Sequence, residues 1–210
     1  MKSGNLQIKV CGMNNSDNIR RIIPLSPDYM GFIFYKPSSR NACDTDEDII
    51  KNIPSSICKV GVFVDSTLNE IVDRTSKCSI KTVQLHGSEG PAFCRQLKDL
   101  GYKIIKAVRI SDNVPDELND FTGVVDMFLF DTAGKNPGGN GKKFNWEALK
   151  QYRLPIPFLL SGGIGPEDIE KIRTLDLPHL IGIDVNSKFE KSPGIKDADS
   201  LRNFMASLRT

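Results

Sequence analysis

No stretch of eighteen apolar residues occurs in this 210-residue chain, which excludes a membrane-spanning helix. The opening Met1-Lys2-Ser3-Gly4-Asn5 lacks the apolar core of a signal peptide, so a cytoplasmic location is expected. An excess of one charge sign is also missing. The formal net charge is +2 and acids and bases are mixed along the chain, which gives no case for nucleic acid or a membrane surface as partner. Cysteine is scattered: five residues stand at 11, 43, 58, 78 and 94, no two closer than fifteen positions. That spacing argues against a local zinc clamp or a CxxC redox pair. In a reducing cytosol they are expected as free thiols, with Cys43, Cys58, Cys78 and Cys94 packing as small hydrophobes. Linkers and low-complexity tracts are absent too, so the expectation is one domain over residues 1–210.

What the chain does have is a repeating pattern. Eight short apolar runs rich in Val, Ile and Phe occupy residues 6–11, 29–34, 59–64, 80–85, 103–108, 124–131, 157–161 and 180–185. Each is too short for a full helix and reads as a strand. Segments of helical character separate most of them, at 16–23, 45–53, 67–76, 91–100, 166–175 and 197–208. Ser16 and Thr67 are capping residues, acids follow Thr45, and Pro91 and Pro166 suit a first turn. Alternation of strand and helix signals a parallel α/β architecture. Eight such units predict a single (β/α)8 TIM barrel. An open doubly wound sheet is the alternative, but the first strand leads into Cys11-Gly12-Met13-Asn14 rather than a glycine fingerprint. Residues 109–123 carry Asp112, Asn113, Pro115 and Gly123, so the fifth helix is expected to be short or irregular.

In such a barrel the active site lies at the C-terminal ends of the strands. Potentially reactive side chains gather there, and three features can be weighed on the residues alone. Ser161-Gly162-Gly163-Ile164-Gly165-Pro166 leads into a helix after the seventh strand, a frequent phosphate site, where glycines let backbone N–H groups approach the anion. A plain tight turn is the other reading. The glycine-rich 134–142 fails as a P-loop, because Lys143 stands where Ser or Thr is needed. It reads as a lid over the barrel mouth or as a solvated loop. Cys11 and Asp131 each end a strand. Lys9 shares a strand face with Cys11, and its ammonium favours the thiolate. Asp131 follows Phe128-Leu129-Phe130, an apolar setting that favours a protonated carboxyl. Taken singly, a buried thiol and a strand-end cap explain both. His86 falls on the same rim, whereas His179 precedes the eighth strand and belongs to the opposite end.

Taken together, the strand ends resemble those of phosphoribosylanthranilate isomerases. The resemblance rests on Lys9-Val10-Cys11-Gly12, Gly31-Phe32-Ile33-Phe34 with Ser38-Ser39-Arg40, Val60-Gly61-Val62-Phe63-Val64 and Val83-Gln84-Leu85-His86-Gly87. It continues through Asp131-Thr132, the run from Gly138 to Trp146, Ser161-Gly162-Gly163-Ile164 and Asp184-Val185-Asn186-Ser187. These motifs run in order from residue 8 to about 194. The resemblance implies an Amadori rearrangement of a small phosphosugar, N-(5-phosphoribosyl)anthranilate, needing no cofactor and no metal, in a monomer or homodimer. It implies Asp131 as general acid and Cys11 as general base. It places Arg40 against the anthranilate carboxylate, puts the backbones of Gly162, Gly163, Asn186 and Ser187 around the phosphate, and adds His86 and Asp184 to the substrate site. Two departures stand out: Asn14 where Thr is common, and Lys188 where Gly is common. Lys188 removes a permissive residue from the phosphate turn and offers a cation in exchange.

Other readings need other residues. A histidine-pathway isomerase performing the same rearrangement would pair two acids, but the first strand ends in Cys11. Indoleglycerol-phosphate synthase would need a catalytic lysine and glutamate at strand ends. A non-catalytic phosphosugar-binding barrel would have no reason to keep both Cys11 and Asp131.

Overall fold

The computed structural model describes residues 6–111, 113–132 and 144–209. Eight parallel strands close into a barrel in chain order. They are β1 (Gln7–Val10), β2 (Tyr29–Ile33), β3 (Cys58–Phe63), β4 (Thr82–Leu85), β5 (Lys103–Ile110), β6 (Met127–Thr132), β7 (Phe158–Leu160) and β8 (Leu180–Val185). Closure is direct: Lys9 of β1 lies opposite Asp184 of β8 on one side and Tyr29 of β2 on the other. An open sheet is thereby ruled out.

The helices on the outside are α1 (Ser16–Ile22), α2 (Glu47–Lys51), α3 (Leu68–Lys77), α4 (Pro91–Asp99), α5 (Ile169–Arg173) and α6 (Ala198–Arg209). Their starts follow the chemistry of their first residues. Thr67 forms a full capping box with Glu70 ahead of α3, and Asn15 and Asp46 cap α1 and α2. The fifth connection is a 3-10 turn over Asp116–Phe121, as the broken pattern there requires. Among the described residues, the sixth contains a 3-10 turn, Trp146–Gln151, and α5 is preceded by another at Pro166–Asp168. A short antiparallel hairpin, β9 (Glu190–Ser192) with β10 (Ile195–Lys196), follows β8. The strand pattern did not anticipate it, although Pro193-Gly194 is a turn signal.

Alternation along the strands separates two apolar regions. Val60, Val62, Ile105, Ala107, Leu129 and Leu159 fill the barrel interior together with Cys11. The opposite faces pack on the helices, where Phe128, Phe130, Tyr152 and Phe158 form an aromatic cluster with centroids 5.0–6.3 Å apart. The apolar setting expected for Asp131 is therefore built differently. Phe128 and Phe130 point away from it, and only Leu129 shares its face. All five cysteines are free, with Cys11, Cys78 and Cys94 buried.

Candidate active site

One cavity at the C-terminal mouth of the barrel is lined by Cys11, Arg40, Gln84, His86, Asp131, Ser161, Gly162, Gly163, Asp184, Asn186 and Ser187, among others. It thus brings together every site residue expected from the sequence. The glycine-rich 134–142 lies outside the described residues.

Cys11 stands immediately beyond β1, held by its N–H to Val185 O at 2.9 Å. Its thiol is buried beside Lys9 and Gly31. A Cβ at Gly31 would fall 2.8 Å from Cys11 Sγ and 3.2 Å from Lys9 Nζ, so only glycine leaves the thiol its place. Lys9 is closed off from solvent and its Nζ meets Asp184 Oδ1 at 2.8 Å. Burial pulls the Lys9 ammonium down, but Asp184 and Cys11 more than offset this, and its pKa ends above the ordinary lysine value. Burial pushes the Cys11 thiol up. Lys9 pulls it back, Asp184 pushes it up again, and the net shift is upward. The sequence argument had the sign of the Lys9 effect right. It missed burial, which is the largest effect, and the carboxylate partner of Lys9, which adds a smaller upward push.

Asp131 ends the interior face of β6, mostly buried. Its Oδ1 accepts the Thr132 N–H at 2.8 Å, and its Oδ2 lies 3.5 Å from His86 Nε2. That contact is too long to count as a hydrogen bond, and His86 Nε2 is left without a partner among the described residues. The other ring nitrogen, Nδ1, is 3.3 Å from Gln84 Nε2. Behind this pair the buried Lys106 ammonium donates to Gly87 O and Glu89 Oε2, each at 2.8 Å, and so fixes the loop that carries His86.

The turn after β7 has Gly162 at φ 98 and Gly163 at φ 69, both in the region that favours glycine. A Cβ on Gly162 would collide with Thr132. Neither glycine N–H donates to a backbone acceptor among the described residues. The helix behind contributes less than expected. α5 has five residues, and Asp168 Oδ2 already accepts the Gly165 N–H at 2.8 Å. Asn186 and Ser187 lead into a 3-10 turn over Ser187–Phe189. Lys188 is exposed there with an ordinary negative φ, so this turn does not need glycine at that position. Asp184 lines the cavity with both oxygens engaged, one by Lys9 and the other by Ser161 Oγ at 3.3 Å.

Arg40 reaches over Gly12, where a Cβ would sit 2.9 Å from its Cδ. Its guanidinium is held by Glu190, with Nε to Oε1 at 2.9 Å and Nη2 to Oε2 at 2.7 Å. Sequence reasoning missed Glu190, and with it Lys196, Gln84 and Tyr35. Among the described residues, no three His, Cys, Asp or Glu side chains converge as a metal-ligand group.

The sequence matches the family described as N-(5'phosphoribosyl)anthranilate (PRA) isomerase over residues 8–207. The chain belongs to this family. An N-(5'-phosphoribosyl)anthranilate isomerase of Parabacteroides distasonis is 43% identical across 94% of this chain and 91% of its own length. Among solved structures, phosphoribosyl anthranilate isomerase from Thermotoga maritima superposes with a TM-score of 0.81 at 30% identity, covering 97% of this chain and 98% of that one. Another, in complex with reduced 1-(o-carboxyphenylamino)-1-deoxyribulose 5-phosphate, superposes with a TM-score of 0.78 at 28% identity over the same shares. The resemblance first visible at the strand ends thus extends over nearly the whole chain, and this barrel is an isomerase of tryptophan biosynthesis.

Proposed function

We propose that the chain converts N-(5-phosphoribosyl)anthranilate into 1-(2-carboxyphenylamino)-1-deoxyribulose 5-phosphate, with Asp131 as acid and Cys11 as base. The observation that carries this reading is the convergence of Cys11 and Asp131, from β1 and β6, on one cavity that also holds an arginine and a glycine turn. Asp131, in its protonated form, donates to the ribose ring oxygen. The bond from that oxygen to C1 breaks, and the nitrogen lone pair closes an iminium at C1. Cys11, as thiolate, removes the proton from C2, and the C2–H electrons neutralise the iminium to give an enolamine. Tautomerisation returns a proton to C1 and leaves a ketone at C2. Acid and base act on different atoms of one sugar, which fits their origin on strands separated by β7 and β8.

The remaining residues supply binding. Gly162, Gly163, Asn186 and Ser187 cradle the phosphate through backbone N–H groups. Arg40 meets the anthranilate carboxylate, for which a planar guanidinium is suited. His86 borders the acid and contacts the substrate. Asp184 lines the cavity and binds substrate there while its oxygens also accept from Lys9 and Ser161. The chain acts as a monomer or homodimer in the cytoplasm.

The test is an assay with freshly prepared substrate, following the loss of its anthranilate fluorescence. Wild type turns it over. Asp131→Asn and Cys11→Ala fold and each lose at least ~100-fold in turnover, the usual worth of a positioned proton-transfer group. Near wild-type turnover by Cys11→Ala would require another base, with His86 the first to examine.

A further inference from the structure

The hairpin after β8 brings two buried charges behind the cavity wall, against its lining residues Arg40 and Asn186. Glu190 and Lys196 have side chains 4% and 0% exposed. Every oxygen of Glu190 is in use. Oε1 accepts from Arg40 Nε at 2.9 Å, Lys196 Nζ at 2.7 Å and Gly194 N at 3.1 Å, while Oε2 accepts from Arg40 Nη2 at 2.7 Å. Lys196 Nζ donates a second bond, 2.6 Å long, to Asn186 Oδ1. The hairpin is itself pinned. The Asn18 side chain of α1 donates to Lys196 O and accepts from Lys196 N, both at 2.8 Å. Gly194, at φ 84, packs so closely on Asn14 that no Cβ would fit.

Two features make this arrangement more than a structural clasp. The first is charge. Arg40 and Lys196 face one carboxylate, so the cluster keeps one positive charge beside the cavity. The second is geometry. Glu190 occupies the Nε–Nη2 edge of the guanidinium, and Nη1 makes no hydrogen bond among the described residues. An arginine fixed on one edge presents the other without spending side-chain entropy at each binding event.

We infer that Glu190 and Lys196 are positioning residues: Glu190 aims Arg40 at the substrate carboxylate, and Lys196 ties that arginine's anchor to Asn186 of the phosphate turn. This rests on the reading of Arg40 as the carboxylate partner. The hairpin then sets the spacing between the carboxylate and phosphate ends of the ligand. The bond from Lys196 holds the Asn186 side chain at the entry to the turn.

The test uses two inhibitors, the reduced product analogue with its ring carboxylate and the same molecule with a plain anilino ring. Arg40→Ala is measured first. It should weaken the carboxylate ligand and leave the anilino ligand nearly unchanged; equal loss on both removes Arg40 from the carboxylate and the present inference with it. Glu190→Gln keeps the side-chain shape and loses the charge. It should weaken the carboxylate ligand on the order of ten-fold and raise KM similarly, with a far smaller effect on kcat, since the interaction is shared by ground and transition states. In the Arg40→Ala background the same change should add no further carboxylate-specific loss. Glu190→Asp, which keeps the charge but withdraws it, serves if the glutamine variant does not fold, and should act in the same direction. If Arg40→Ala discriminates between the ligands while the Glu190 variants affect both equally or neither, Glu190 only stabilises the fold and the inference fails.

Discussion

Lys9 Nζ and Asp184 Oδ1 meet at 2.8 Å inside the barrel, one strand apart, with Lys9 wholly and Asp184 almost wholly removed from solvent. The pair decides how the cysteine beside it ionises. Lys9 pulls the thiol down less than burial raises it, and the carboxylate that matches Lys9 offsets part of that pull. Burial then outweighs what Lys9 still contributes, and the thiol sits above its ordinary value.

The expected consequence is an alkaline limb. Because the folded pKa of Cys11 is raised, the thiolate is scarcer at neutral pH than in a free cysteine and grows as pH rises through the folded value. The rate of inactivation by iodoacetamide should climb with pH, with a midpoint above the ~8.5 of a free thiol; kcat/KM does not follow it, because turnover also needs Asp131 to keep its proton while Cys11 ionises. The sign for stability is the reverse. The unfolded thiol ionises first, so this group's contribution is full below the unfolded value and falls as pH rises towards the folded one. An inactivation midpoint below 8 on the pH axis, roughly half a unit under the free thiol, would mean that Lys9 prevails.

The phosphate turn makes a separate prediction. Inorganic phosphate should compete with substrate in the millimolar range, through the N–H groups of Gly162 and Gly163. Gly162→Ala places a side chain at φ 98 and drives its Cβ into Thr132. It should weaken phosphate inhibition and raise KM about ten-fold or more, a cost of ~1–3 kcal/mol for strain of this kind. Unchanged phosphate inhibition in this variant would move the anion elsewhere.

Arginine at position 40 should not be replaceable by lysine. Glu190 takes two of its nitrogens, and a third is still needed for the ligand. Lysine offers a single ammonium that cannot serve both as a planar fork. Arg40→Lys should therefore lose ~1.5–3 kcal/mol of charge-assisted contact, about one to two decades in kcat/KM. A lysine variant with wild-type kinetics would show that charge alone is recognised.

Much of this was legible in the sequence, for local reasons. All eight strands announce themselves through apolar runs, and the fifth connection fails as a helix where Pro115 and Gly123 interrupt it. Strand ends carry the chemistry, so Cys11, Asp131, His86 and Asp184 could be placed on one rim from topology alone. Pairings across the barrel could not. Lys9 and Asp184 are 175 positions apart, and Arg40 and Glu190 are 150 apart. No periodicity connects them, and each changes what the residue can do. The outward turn of Phe128 and Phe130 was available from strand alternation, yet a run of three apolar residues reads as an apolar setting until the faces are separated.

Gly31 gives the sharpest test of the proposed base. It lies on the inner face of β2, its φ is unremarkable, and alanine there carries no backbone penalty. The cost is local, because the new Cβ would stand 2.8 Å from Cys11 Sγ and 3.2 Å from both Cys11 Cα and Lys9 Nζ. Cα belongs to a paired backbone and cannot retreat, so the thiol must leave its rotamer. Overpacking of this kind costs ~1–3 kcal/mol, which an intact barrel tolerates. A displaced base is less forgiving, since proton transfer requires hydrogen-bond reach to the C2 proton. Gly31→Ala should therefore keep its fold by circular dichroism and bind the reduced product analogue within a few-fold of wild type. Turnover should nevertheless fall on the order of a hundred-fold, and the iodoacetamide rate should change with it. Turnover that survived the substitution while the thiol demonstrably moved would separate Cys11 from the chemistry and leave C2 deprotonation to another group.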